Sequence, residues 1–337
     1  PLPTGGELAQ VDGTAWMAAL IFHLLEMTIE LSRYEPNYLF MFGRWLWDAW
    51  LVANALEKGS GRVSFWDDDT GFYHDVIENP TGTNSSLRVF SIQSIVPLFA
   101  AIAIPTTSVE ALETINRCLD DLSEAYEHTD ADVRLRLAGG DGSHFMIAIV
   151  HPDRLSAMLD RLLDPAQFLS DHGIRSLSRF HLEHPYTYRT NGREYAVSYQ
   201  PAESDSRMFG GNSNWRGPVW LPINVLLVQA LDSYARFLGG TFTVADPADS
   251  DRRVDLATVA DDLARRLTGL LVRDGSGRRA VHGDNEYFQT DPNWRDLVPF
   301  YEYFDGDTGR GLGASHQTGW TAMVALLLQF RGKLRFD

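Results

Sequence analysis

The chain has 337 residues, with 29 Lys and Arg against 45 Asp and Glu, a formal net charge of −16 at pH 7. An apolar fraction of 44% and a charged fraction of 22% exclude a disordered chain and describe a globular one with a large core. The acidic balance repels phosphate backbones and anionic lipid, so neither nucleic acid nor a membrane surface is an expected partner.

The first element is a helix over 14–32, where Trp16, Leu20, Leu24, Met27 and Leu31 recur at intervals of three and four. Asp12 or Thr14 is the expected cap. A second helix over 38–56 carries Phe42, Trp45, Leu46, Ala49, Val52 and Ala53, and Lys58-Gly59-Ser60-Gly61 stops it. The stretch 87–104 is apolar enough to lie deep in a core. Amphipathic helices are predicted over 109–128 and 153–163, the latter with Pro152 just inside its start. The residues 186–199 break this rhythm. Two alternating runs around Asn191-Gly192 predict a β-hairpin. Helical spacing then returns over 218–238, 256–272 and 315–330.

Many helices joined by long loops, with little strand, point to an all-α architecture: a bundle, a solenoid or a closed ring of helical hairpins. No short repeat supports a solenoid. Long loops after alternate helices suit a toroid with a functional face made of loops. No low-complexity linker divides 1–337, so one domain is expected, with 170–214 as a long loop insertion that carries the hairpin. The single cysteine, Cys118, excludes an intramolecular disulfide and a cysteine-rich metal site. Neither metal nor cofactor is expected. Asp67-Asp68-Asp69-Thr70-Gly71 has the start of a calcium loop without its closing Glu. No apolar run approaches the roughly 20 residues that cross a bilayer. The expected compartment is the cytoplasm.

Three loop clusters carry the chemistry. In Gly210-Gly211-Asn212-Ser213-Asn214-Trp215-Arg216-Gly217-Pro218-Val219-Trp220, flat indole faces suit the C–H faces of sugars, and Asn214 and Arg216 supply donors for hydroxyls. The alternative is structural: Trp215 and Trp220 cap the core and Arg216 pairs with a buried carboxylate. In Phe300-Tyr301-Glu302-Tyr303-Phe304, a carboxylate flanked by four aromatics is either desolvated or held ionised by hydrogen bonds. Both make an acid or a base. The glycines of 309–319 lack the preceding strand of a dinucleotide loop and instead predict a tight turn that delivers Gln317 and Trp320 to a pocket. His316 reads as structural. No Gly-x-Ser-x-Gly elbow, His-Glu-x-x-His or phosphate loop is present.

In order along the chain, these blocks resemble the C-terminal catalytic region of glycoside hydrolase family 63, the processing α-glucosidases and related bacterial enzymes. The blocks are 8–18 (Leu-Ala-Gln-Val-Asp-Gly-Thr-Ala-Trp-Met-Ala), 71–76 (Gly-Phe-Tyr-His-Asp-Val), 173–178 (Gly-Ile-Arg-Ser-Leu-Ser), the Asn-Trp-Arg-Gly-Pro-x-Trp block, and those of Glu302 and Gly319-Trp320. The resemblance implies an (α/α)6 toroid and hydrolysis of an α-glycosidic bond with inversion, on an oligosaccharide or small α-glycoside. Inversion needs a carboxylic acid and a carboxylate about 6.5–9.5 Å apart. Glu302 matches the family's general base; Trp215, Arg216 and Trp220 match its sugar-binding block; Asp12 and Trp16 match a segment near the active-site loops. The family's acid, an Asp in a Gly-Leu-Asp-Asn type motif, has no counterpart here. The toroid is therefore expected to be N-terminally incomplete, with the acid upstream, Asp205 as the fallback acid and weak turnover of unactivated glycosides by the isolated chain. Competing expectations are a non-catalytic carbohydrate-binding toroid and a helical-toroid phosphorylase or epimerase.

Overall fold

A computed structural model of the chain describes residues 6–58, 64–79, 84–126, 135–137, 140, 142–190, 192–205 and 215–336. The helices are α1 (Val11–Ser32), α2 (Leu39–Lys58), α3 (Val109–Tyr126), α4 (Pro152–Leu162), α5 (Phe180–Glu183), α6 (Leu221–Leu238), α7 (Leu256–Gly269), α8 (Glu286–Thr290), α9 (Thr318–Thr321) and α10 (Val324–Phe336). α1 packs along α2, α2 on α3, α6 along α7, and α10 against both α6 and α7. This helix-rich build matches the periodicity reading. The predicted stop at Gly59–Gly61 lies outside the described residues.

The helix spacing reflects burial. Phe42, Leu46, Ala49 and Ala53 of α2 face the core as expected, but α1 buries Ala15, Ala18, Phe22 and Leu25, and the stripe read from its sequence is the wrong face: Trp16, Leu20, Met27 and Leu31 are exposed. By length and composition α1 is apolar enough to cross a bilayer, which corrects the expectation that no run qualifies. Its buried face accounts for much of that apolarity. The cap of α1 also differs. Neither Asp12 nor Thr14 caps it; the Val11 N–H donates to the Asp75 carboxylate at 2.8 Å, from a residue 64 positions away that no local pattern announces.

Two segments depart from simple helix. Residues 87–104 are buried as expected, but Pro97 has no N–H for an α-helical ladder. They form a 3-10 helix, Ile92–Phe99, then a strand, Ala101–Pro105, antiparallel to His144–Ala148. The predicted helix over 315–330 is split at Ala322-Met323 into α9 and α10. The Gln317 N–H donates to Phe300 O (2.6 Å) and the Thr321 hydroxyl to Tyr301 O. These bonds fix the axis of α9 to the loop rather than to α10.

Strands are more numerous than the all-α reading allowed, though each sheet is small. Tyr186–Thr190 pairs with Arg193–Val197 as the predicted hairpin, with Gly192 at φ 72°. A second hairpin, Thr243–Asp246 with Asp249–Asp255, escaped notice because its second strand is mostly charged. Glu7–Ala9, Val76–Glu78 and Asn84–Ser86 form a three-stranded antiparallel sheet, placing Leu8 opposite Ile77.

Candidate active site

A seam of short backbone pairings runs across the loop face and assembles the site. Ser91 bridges Leu177, Arg175 bridges Val219, and Val219 bridges Phe304, whose strand Tyr303–Phe304 pairs with Gly311–Leu312. Val219 and Phe304 exchange bonds of 2.8 and 2.9 Å. Four of the separate sequence blocks thus become neighbours. Gly217 makes the approach possible. At φ 154° a Cβ would lie 2.7 Å from the Tyr199 ring. Beneath the seam, buried Arg175 donates to the Tyr199 hydroxyl (2.9 Å) and to Asp307 (3.0 Å), and Tyr199 itself donates to Asp307 (2.9 Å). Burial pushes the Tyr199 phenol up, so it stays a donor.

An aromatic stack stands on this seam. Trp220 lies between Trp215 (centroids 4.9 Å, 12°) and Tyr303 (4.7 Å, 27°), with Trp320 edge-on at 6.2 Å. Trp220 is only 5% exposed and both faces are occupied. The core-capping reading therefore holds for Trp220, while Trp215 is half-buried and Trp320 is 38% exposed. Each stacked pair contributes about 0.5–1.5 kcal/mol beyond burial.

Glu302 sits at the foot of the stack, half-buried. Its N–H donates to Ala314 O (3.0 Å) and its Oε2 accepts from the Ala314 N–H (3.1 Å). Oε1 has no partner among the described residues. A Cβ on Gly313 would lie 2.7 Å from Glu302 Oε2 and 2.6 Å from Tyr303 Cε1, so the carboxylate borders the Tyr303 ring. The start of α9 is laced to Phe300 and Tyr301, the two residues before Glu302, which fixes the backbone of Gln317 there and sets Trp320 against Trp220. His316 accepts from the Phe300 N–H (3.3 Å) and stacks on that ring, a structural role.

The carboxylate that meets the stack is not Asp205. Tyr303 OH donates to Glu203 Oε2 at 2.8 Å, while the Gly306 N–H holds that loop through Pro201 O (2.8 Å). Tyr303 thus has the Glu203 carboxylate at its hydroxyl and the Glu302 carboxylate beside its ring. Asp205 instead acts on Arg216, whose guanidinium burial holds below its usual range while the Asp205 charge pulls the other way. Arg216 is buried, and its carbonyl accepts from the Gln200 N–H (2.6 Å). Glu203 is two positions from Asp205; residue type alone gives no means of ranking them. Asn214 lies outside the described residues.

Asp12 and Trp16 form a separate group. Gln93 donates to Asp12 Oδ2 (3.2 Å), and Trp16, 36% exposed, tilts against Phe99 at 5.8 Å. Beside them Asp75 has its pKa pushed up to about 6 by burial, with the Asp12 charge adding to the effect. None of the three touches the tryptophan stack among the described residues; the seam connects them through Ser91, whose hydroxyl donates to Gln93 (3.3 Å). The acids of the 67–71 turn are committed: Arg88 pairs with Asp67 (2.7 Å) and Asp69 (2.8 Å). Among the described residues no group of three His, Cys, Asp or Glu is placed to hold a metal.

With this geometry in hand, comparison with known proteins is decisive. The profile of the mannosylglycerate hydrolase MGH1-like glycoside hydrolase domain matches residues 114–321. The chain belongs to glycoside hydrolase family 63. The family 63 match takes in Arg175, Trp215, Trp220, Glu302, Gln317 and Trp320. An uncharacterized protein of Saccharomyces cerevisiae, YMR196W, is 39% identical over 96% of this chain and 31% of its own length. The mannosyl-oligosaccharide glucosidase of the same yeast is 24% identical over 52% of this chain and 15% of its own. A solved family 63 mannosylglycerate hydrolase from Thermus thermophilus, in complex with glucose, is 16% identical and covers 96% of this chain and 45% of that one, with a TM-score of 0.45. The chain spans less than a third of the length of these two yeast relatives.

Proposed function

We propose that this chain carries the water-activating side of an inverting glycosidase site for α-linked oligosaccharides or small α-glycosides, with Glu302 as general base. The observation that carries this reading is the placement of Glu302. One oxygen, beside the Tyr303 ring, is pinned by the Ala314 N–H, and the other has no partner among the described residues. A carboxylate so held keeps one lone pair aimed at a water, which is the geometry general-base catalysis requires. An exposed Trp320 and the outer side of Trp215 are assigned the sugar, with Trp220 as the rigid backing between Trp215 and Tyr303. Gln317 and Arg216 are assigned to hydroxyls, and Asp12 and Trp16 to a further stretch of the substrate. Asp205 is assigned to Arg216. Within the chain, Glu203, which accepts from the Tyr303 hydroxyl, is the carboxylate offered in its place as the acid.

A relative named as a mannosyl-oligosaccharide glucosidase, and a family model named for mannosylglycerate hydrolase, support an α-linked hexoside as substrate class. The test is the anomer first released, followed by proton NMR in the natural polypeptide that carries this sequence. An α-glucoside is expected to give the β-anomer first. Initial release of the α-anomer would mean retention and remove Glu302 from the role of general base.

A further inference from the structure

A cavity of about 900 Å³ lies between the end of α7, the residues 274–289 and the Tyr301 and Gly311 flanks of the Tyr303–Phe304 hairpin. It borders Tyr301 and Gly311 but none of Glu302, Trp215, Trp220 or Trp320. Its innermost feature is the turn His282-Gly283. His282 is 4% exposed, stacks on Phe288 at 5.4 Å, and has no hydrogen-bond partner at either ring nitrogen. Buried polar atoms are nearly always satisfied, so two orphaned nitrogens on one cavity wall call for a ligand atom or water.

Cations converge on the same turn. Arg278 donates to Gly283 O at 3.2 Å. Arg279 starts the 3-10 turn that ends at His282, and its Nε is spent on Leu271 O (2.8 Å). Arg310 lies on Gly283 itself: a Cβ there would meet its Cδ at 2.6 Å and its Cγ at 2.8 Å, so the bare glycine gives the arginine stem its seat. The Arg310 guanidinium makes no hydrogen bond or ion pair among the described residues. Carboxylates on the wall are largely committed. Asp305 accepts from the N–H groups of Asp307 and Thr308, Asp274 from those of Ser276 and Arg278, and Asp171 pairs with Arg266. Asp284 is exposed at the rim and Glu286 pairs with Arg278.

We infer that this cavity binds an oxyanion, a phosphate or carboxylate group carried by a small soluble ligand, between Arg310 and the His282-Gly283 turn. A guanidinium fork with all its donors free and a buried imidazole N–H are complementary to such a group. Its location separates this site from the proposed sugar stack.

The natural polypeptide that carries this sequence is titrated by calorimetry with inorganic phosphate and with citrate at constant ionic strength in chloride. Saturable binding of phosphate or citrate is expected, weakened at least tenfold in Arg310→Gln and in His282→Phe. Trp320→Ala leaves it unchanged. Phosphate alone would identify a tetrahedral anion and citrate alone a carboxylate. Thermal midpoints without ligand report whether each variant folds; the exposed Arg310→Gln carries the test if His282→Phe does not. No saturable binding of either anion, or undiminished binding by a folded Arg310→Gln, would overturn the inference. Because the readout is binding at a cavity away from Glu302, its failure is distinct from failure of the glycosidase reading.

Discussion

Asn224 is the most economical place to test the assembly of the loop face. It is 1% exposed on the first turn of α6. Its Oδ1 accepts from the Ile174 N–H (2.7 Å), and its Nδ2 donates to Ile174 O (3.1 Å) and to Trp220 O (2.9 Å). Asn224→Leu keeps the volume and removes all three bonds. Trp220 O retains the Asn224 N–H at 3.2 Å, whereas both polar groups of Ile174 lose their Asn224 partner in a dry environment. Each of the two stranded groups costs about 1–3 kcal/mol, so a loss of about 2–6 kcal/mol in unfolding free energy is expected. Urea denaturation followed by tryptophan fluorescence measures it, with a lower midpoint at an unchanged slope. A loss below about 1 kcal/mol would refute the reasoning, since it would mean that Ile174 finds other partners and that the side chain of Asn224 does not brace the seam.

Two further predictions concern single groups. Gly313→Ala places a methyl at φ 69°, 2.6 Å from the Tyr303 ring and 2.7 Å from the Glu302 carboxylate. The backbone strain costs about 1–2 kcal/mol, and displacement of the carboxylate is expected to lower kcat more than it raises the sugar Kd. Asp75, with its pKa raised to about 6 from 3.8, binds its proton more tightly folded than unfolded, so it favours folding at low pH and that contribution fades as pH rises from about 4 to 6. His74 acts oppositely: burial holds it at about 4, so it favours folding above 6.5 and loses that contribution as pH falls toward 4. Asp75→Asn keeps an acceptor for the Val11 N–H. The difference in Tm between wild type and this variant, plotted against pH, is expected to change between 4 and 6 and be flat above 7; a flat difference throughout would contradict the burial of Asp75.

Periodicity made the long helices legible, but in α1 the large apolar side chains it singled out lie on the exposed face while small Ala15 and Ala18 mark the buried one. What it missed was held by partners distant in sequence. The cap of α1 comes from Asp75, the break between α9 and α10 from bonds to Phe300 and Tyr301, and the backbone seam from four segments more than 30 residues apart. The site shows the same division. Aromatic density around Glu302 and Trp220 marked loops that the fold brings together. Sequence could not tell that Trp220 has both faces covered while Trp320 does not, nor that Glu203 rather than Asp205 meets Tyr303. Both distinctions depend on how side chains stack after the seam closes.

The most direct examination of the central claim is Glu302→Gln in the natural polypeptide that carries this sequence, with turnover of an α-glucoside and sugar affinity by tryptophan fluorescence measured on the same preparation. Gln keeps the acceptor for the Ala314 N–H but cannot take a proton from water. The account predicts turnover reduced by about 10²–10⁴-fold with affinity changed only a few-fold. Turnover within a few-fold of the unmodified enzyme, at equal affinity, would contradict it.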